Sequence, residues 1–356
     1  MKYFKLSIIV SLIGLILAYI WGERIHPGSG LETAFIAGIL GILEVSLSFD
    51  NAVVNAVKLQ TMPEVWQQRF LTWGMLIAVF GMRLLFPIII VSAFTGIGVI
   101  KVTLLALKHP MQYAHYLQST HATIAAFGGM FLLMIFLSFI LDEAKDIHWI
   151  KILEEKLAKL GKLEGVQIIL ALSALYITQN FVNSAEKLPV VLAGISGLIL
   201  FLLVDGVSGL IESNEEGNGA AKQLVNGVKY AGFISFLYLE LIDASFSFDG
   251  VMGAFAISSS IIIISIGLGM GAMFVRSLTI MLVEKKTLQK YIYLEHGAHW
   301  AIGALALIMM YTTIGEVSEV ITGLIGVGFI GASFASSVSY RKLNPDMADE
   351  LLEELV

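Results

Sequence analysis

The sequence predicts an all-α polytopic membrane protein of about ten transmembrane helices, containing two inverted three-helix repeats. Three observations predict this. Hydrophobic residues make up 57% of the chain and charged residues 14%, against about 45–50% and about 25% in an ordinary soluble domain. Mostly apolar runs, each long enough to cross a hydrocarbon core roughly 30 Å thick, recur along the whole length. One acidic phrase, "EVSLSFDN" at 44–51, nearly returns as "DASFSFDG" at 243–250. The polar segments, at most about 20–25 residues long, leave no room for a soluble domain. The lack of cysteine excludes disulfides, thiolate metal sites and cysteine nucleophiles. A net charge of −6 says little for a membrane protein, where the placement of positive charge matters more.

In chain order the spans fall near 4–21, 32–57, 68–97, 121–141, 166–184, 188–211, 229–257, 259–283, 297–314 and 316–339. The first follows two lysines, as a signal peptide would. It lacks a small-residue cleavage site and leads into another span, so it is read as an uncleaved helix. "YITQNFVNSA" dilutes the end of the fifth span with amides, and the charge pattern argues for keeping it. With all spans counted, Lys2, Lys5, Lys58, Arg69, the lysines of 142–165, Lys222, Lys229, Lys285, Lys286, Lys290, Arg341 and Lys342 share one side. The other side holds Arg24, Lys101, Lys108 and Lys187. The positive-inside rule then predicts a multi-pass protein of the plasma (inner) membrane with both termini cytoplasmic.

The segments are 1–31, a helix and loop; 32–141, the first repeat; 142–165, a cytoplasmic linker; and 166–228, two helices and a polar loop. The second repeat at 229–314, a last helix at 315–340 and an acidic tail at 341–356 follow. In the linker, Ile147, Ile150, Leu153, Leu157 and Leu160 have helical spacing opposite a Lys/Glu face. This is a connector lying on the membrane surface or packing under the bundle. "ESNEEGNGAAK" (212–222) reads as a flexible loop, and the tail as a short amphipathic helix.

The repeat carries the functional reading. Aligning Asp50 with Asp249 places Glu44 on Asp243, Ser46 on Ser245, Ser48 on Ser247 and Phe49 on Phe248. Each phrase precedes a span holding one arginine, Arg83 or Arg276. The third spans begin alike, "YLQSTHATIAAFGG" against "YLEHGAHWAIGALA". Five crossings separate the two first helices, so the copies point in opposite directions. That is the usual build of secondary transporters, with a site near the midplane.

Intramembrane carboxylates face an interior or a wet cavity and mark a pathway or relay. Pairing Asp50 and Asp249 with Arg83 and Arg276 would be plain helix glue. Four acids against two arginines leave charge that a bound cation or protons would neutralise. Six residues of regular helix turn about 240° and rise ~9 Å, so Glu44 and Asp50 cannot hold one ion from an unbroken helix. Either the S-L-S-F stretch is unwound, which Gly38, Gly41 and the paired serines would permit, or acids from both repeats share the ion; Gly250 and Gly253 give the second copy similar latitude. The expected metal ligands are Glu44, Asp50, Asn51, Asp243 and Asp249, with Glu240, Ser48 and Ser247 as additional candidates and Arg83 and Arg276 as charge partners. Carboxylates, an amide and hydroxyls suit Mn²⁺, Mg²⁺ or Ca²⁺. Met130, Met134, Met252, Met270 and Met273 read as gap-filling residues. His296 and His299 read as solvated interfacial residues, with a proton relay the sharper alternative. Gly128–Gly129 and "GLGMGAMF" (267–274) read as close helix packing. No catalytic motif is present, and no enzyme is expected.

"EVSLSFDNAVV", "QQRFLTWGMLIAVFGMRLLF" and "DASFSFDGVMGAFAIS" together resemble the TerC family of integral membrane proteins. Glu44, Asp50 and Asn51 match that family's first motif, Asp243 and Asp249 its second, and Arg83 its intramembrane arginine. The resemblance covers roughly 32–141 and 229–339 and departs at Gly250, where the family has serine, and across 142–228. It implies metal-ion efflux, Mn²⁺ first, with the ion as substrate and no tightly bound cofactor. The other expectations are a non-transporting scaffold or assembly factor in metal or tellurium stress resistance, and an exporter of a small organic solute. Partners expected are the metal ion and the lipid bilayer; a homo-oligomer is allowed, and no nucleic acid is expected.

Overall fold

The computed structural model describes residues 2–60, 62–74, 76–215, 222–258, 260–285 and 290–344, and every regular element among them is helical. Helix α1 (Lys5–Ile25) matches the first predicted span. The second is divided into α2 (Gly30–Leu47) and α3 (Phe49–Gln60), interrupted at Ser48, whose φ of −99° and ψ of 17° leave the helical range. The interruption is one residue wide, because Ser48 N–H still donates to Glu44 O at 2.9 Å. It falls inside the S-L-S-F stretch.

The third predicted span is not a regular α-helix. It comprises α4 (Glu64–Arg69), two π-helical segments, Phe70–Gly74 and Ile77–Leu85, and α5 (Phe86–Thr95). Pro87 accounts for part of this. It has no N–H to give the Arg83 carbonyl four residues back, and its ring crowds that carbonyl, so the α-ladder cannot run through. Gly96, at φ +70°, ends α5 in the left-handed conformation that glycine favours. Helix α6 (Val99–Lys108) lies between predicted spans. Helix α7 (Pro110–Ile140) begins eleven residues before the predicted edge at 121, because its polar first turns have no lipid-like signature.

Helix α8 (Lys151–Leu160) occupies the linker. Helix α9 (Val166–Gln179) has 14 residues, about 21 Å of helix, short of a hydrocarbon core of about 30 Å. Then follow α10 (Lys187–Glu215), α11 (Lys222–Ile257), α12 (Ile261–Glu284), α13 (Leu294–Thr312) and α14 (Glu319–Leu343). Helix α10 thus takes up the start of the predicted 212–222 loop; the rest of that loop and the predicted tail helix lie outside the described residues, apart from Lys222. Helix α11 runs unbroken through the second acidic phrase, so the latitude offered by Gly250 and Gly253 is not used.

Among the described residues, six helices are long and apolar enough to cross a membrane: Lys5–Ile25, Gly30–Leu47, Pro110–Ile140, Lys187–Gly206, Ile261–Glu284 and Ile321–Leu343. An all-helical chain with six such helices is consistent with a polytopic helical membrane protein. Helix α11, with Glu240, Asp243 and Asp249 in its length, is not one of the six.

The chain forms two compact units. The first comprises Met1–Ala52, Met62–His121 and Val228–Met281. In it α1 packs on α2, and both approach α12 at glycines. A Cβ at Gly267 would lie 2.5 Å from Leu40 Cβ, and one at Gly271 would lie 2.5 Å from Glu44 Cβ. Ser7 Oγ donates to the Met273 carbonyl at 2.6 Å. The second unit comprises Val53–Thr61, Ala122–Gly227 and Leu282–Val356. There α13 packs on α14, and α9 on α10. A Cβ at Gly129 would meet Met309 Cβ at 3.2 Å and the Ala306 carbonyl at 3.3 Å, so these glycines do serve close packing.

The α13–α14 contact gives a stability prediction. A Cβ at Gly297 would sit 2.0 Å from Ser333 Oγ and 3.0 Å from the Phe329 carbonyl, whereas one at Gly331 meets nothing within 4 Å. Gly297→Ala is expected to destabilise by about 1–3 kcal/mol through overpacking. Gly331→Ala should stay within about 0.5 kcal/mol of wild type. Thermal unfolding of the purified protein in detergent separates the two.

Candidate functional site

The first acidic phrase places its side chains around the Ser48 interruption. Glu44, in the last turn of α2, is buried at 1% exposure. Ser48 Oγ donates to its Oε1 at 2.7 Å, and Arg83 Nη2 forms a buried ion pair with the same oxygen. Arg83 Nη1 donates to the Ala78 carbonyl at 2.6 Å, within the π-helical stretch. Asp50 opens α3, and its Oδ1 accepts the Asn51 N–H at 2.9 Å, as an acid in a first helical turn does. Asn51 turns its amide elsewhere: Nδ2 donates to Asp243 Oδ1 at 2.6 Å. The two acidic phrases therefore meet through this bond.

On α11, Glu240, Asp243 and Ser247 are all buried. The side chain of Asp249 lies outside the described residues; its backbone is part of α11. Among the described residues, Asp243 Oδ2, Asn51 Oδ1, Ser247 Oγ and both carboxylate oxygens of Glu240 are buried without a hydrogen-bond partner. Arg276, half-buried on α12, donates from Nε to the Leu71 carbonyl at 2.8 Å, and among the described residues it makes no ion pair. Glu44, rather than Asp50, is thus the partner of Arg83. Ser48 serves Glu44, while among the described residues Ser247 has no partner for its hydroxyl. Among the described residues no group of three or more His, Asp or Glu side chains is arranged to hold a metal ion.

The second unit holds a polar centre that helical spacing did not reveal. Glu154, on α8, has no exposure. Its carboxylate accepts His296 Nδ1 at 2.8 Å, Trp300 Nε1 at 3.0 Å, and the Trp149 and Ile150 N–H groups at 3.2 and 3.3 Å. Lys145 Nζ lies 3.6 Å away and also sits over the Phe139 ring. His299 stacks on Phe139 with ring centroids 3.7 Å apart. His296 is buried, so the solvated reading does not hold for it, whereas His299 is part-exposed beside Phe139. The linker packs by its Glu154–Ala158 face, leaving Ile147, Ile150, Leu153 and Leu160 of the apolar stripe exposed. A lone glutamate on a lysine-rich face looks solvated in sequence; only its donors mark it as buried.

Burial pushes the Glu154 carboxyl up, but the His296 and Trp300 donors outweigh it and hold the group at about 2. A carboxyl held below its ordinary value of 4.5 stabilises the fold above that pH, and the contribution is lost as pH falls toward 2. Glu154→Gln is expected to cost about 2 kcal/mol at neutral pH, solvent screening discounted. The difference from wild type should shrink between about pH 4.5 and 2. Unfolding midpoints across that range check this.

A family model described as "Protein of unknown function (DUF475)" matches residues 49–344. No curated protein and no solved structure shows significant similarity to the chain.

Proposed function

The chain belongs to the DUF475 family, and we propose that it is a secondary transporter exporting a divalent cation, Mn²⁺ first. In this reading it has about ten spans in the plasma (inner) membrane, two inverted three-helix repeats and cytoplasmic termini. One observation carries the proposal most: the 2.6 Å bond from Asn51 to Asp243, which joins the two acidic phrases and leaves Asp243 Oδ2 and Asn51 Oδ1 buried without partners among the described residues. Buried oxygens of this kind are costly unless a cation or proton takes them. Asp50, Asn51, Asp243 and Asp249 are the proposed ligands. Glu44, held by Arg83, supplies the neighbouring fixed pair. Hard oxygen donors with no thiol fit Mn²⁺, Mg²⁺ or Ca²⁺, with water completing the shell. Exchange for protons follows if each acid must hold H⁺ when the metal leaves. The TerC-like phrases support the same substrate class.

The closed Glu44–Arg83 pair also suits the scaffold reading, in which buried charges only join helices. The solute reading needs an arginine free to bind a carboxylate; Arg83 is engaged by Glu44 and the Ala78 carbonyl, which leaves Arg276, without an ion pair among the described residues, to serve it. Proteoliposomes loaded with Mn²⁺, Ca²⁺, Mg²⁺ or Zn²⁺ decide between them. Flux of at least one ion, lost in Asp50→Asn and Asp243→Asn, is the expected result. No flux of any ion sinks the transporter reading.

A further inference from the structure

Three oxygen-bearing side chains on α11, Glu240, Asp243 and Ser247, repeat at intervals of three and then four residues, which puts them on one helix face. They are 6%, 5% and 3% exposed, and each carries at least one oxygen with no partner among the described residues. Asn51 Oδ1 adds another beside Asp243. Glu240 is the extreme case, since neither of its carboxylate oxygens has a donor among the described residues. Its carboxylate rests against Gly74, at the end of the π-helical segment Phe70–Gly74. A Cβ at 74 would stand 2.6 Å from Glu240 Oε1. Glycine there leaves room for the acid, and π-turns frequently mark functional sites. Among the described residues no basic side chain forms an ion pair with Glu240. Packing alone gives no return for such a group, because a buried carboxylate without a partner costs several kcal/mol.

We infer that Glu240 is a second cation subsite, one helical turn along α11 from the Asp243–Asn51 centre. A divalent cation is passed in file between the two. The inference rests on the transport reading above and adds to it a path and a second station. Positions three apart on a helix lie about 5–6 Å from each other. Two divalent ions so close repel strongly, so one ion occupies either station in turn. Conduction needs such sites: several of them, each holding the ion weakly enough to release it. Ser247 Oγ, a turn beyond Asp243, extends the same file to roughly 10 Å.

Mn²⁺ binding to the purified full chain, followed by calorimetry, and Mn²⁺ flux in proteoliposomes test the inference on Glu240→Gln, Asp243→Asn and the double variant. Unfolding midpoints of each check that the proteins fold. Glu240→Gln is expected to bind Mn²⁺ about as tightly as wild type while its flux falls roughly tenfold or more. Asp243→Asn should keep a weaker Mn²⁺ site that disappears in the double variant. Wild-type flux in Glu240→Gln, or an Asp243→Asn protein as empty as the double, overturns the second station. Glu240→Gln flux that keeps its rate but loses its pH dependence also overturns it, making Glu240 a proton carrier. If wild type neither binds nor moves Mn²⁺, the transport reading itself fails, and the second station fails with it.

Discussion

Asp50→Asn proteoliposomes are expected to move Mn²⁺ at no more than about one hundredth of the wild-type rate, and Asp243→Asn to fall as far. Both substitutions keep size and an acceptor oxygen, so the fold should survive. Asp50 retains its task of accepting the Asn51 N–H, which an amide oxygen also performs. Asp243 likewise keeps an acceptor for Asn51 Nδ2. What each loses is negative charge at a buried point, the property a divalent cation requires and helix glue does not. Unchanged unfolding midpoints beside lost flux would place the acids in transport. Wild-type flux in both variants would falsify their assignment as ligands.

The second large effect concerns stability. Arg83→Met should lower the unfolding free energy by about 3–5 kcal/mol, because it strands the buried Glu44 carboxylate. Glu44 is 1% exposed and Arg83 2%, so water cannot take over. Asp243, which also interacts with the guanidinium, loses its nearby positive charge as well. The double variant Glu44→Gln/Arg83→Met removes both charges at similar volume, and it is expected to recover most of the loss. Equal destabilisation in the single and double variants would mean the arginine acts through the Ala78 carbonyl and packing instead. Unfolding in detergent or nanodiscs reads the cycle.

Much of this arrangement was legible in the residues, and the misses have physical causes. The repeated phrase put Asn51 and Asp243 in one candidate site, and the structure joins them directly. The paired serines suggested an interruption in the first phrase, and Ser48 supplies it. Which acid Arg83 would choose was not legible. That depends on the phase of its helix, and Pro87 with the π-helical turns shifts that phase in a way no 3.6-residue spacing reveals. Glu154 was missed because a period-based reading assigns glutamates on lysine-rich helix faces to solvent. Four donors reverse that assignment, and the two side chains among them, His296 and Trp300 on α13, are distant in sequence. Span edges at α6 and α7 were missed because hydropathy cannot distinguish a polar helical turn from a loop.

The interruption at Ser48 has a mechanical consequence. Helix α11 is a continuous rod of 36 residues, about 54 Å long, so Asp243 moves only when a long lever moves. Asp50 and Asn51 follow directly on a single non-helical residue, so their placement is set by the torsions of Ser48 as well as by α2. The two acidic phrases are near twins in sequence, yet one lies within an unbroken helix and the other straddles an interruption. The Asn51–Asp243 bond therefore ties an unbroken helix to the residues just past the interruption, so a change of torsion at Ser48 is felt first at that bond.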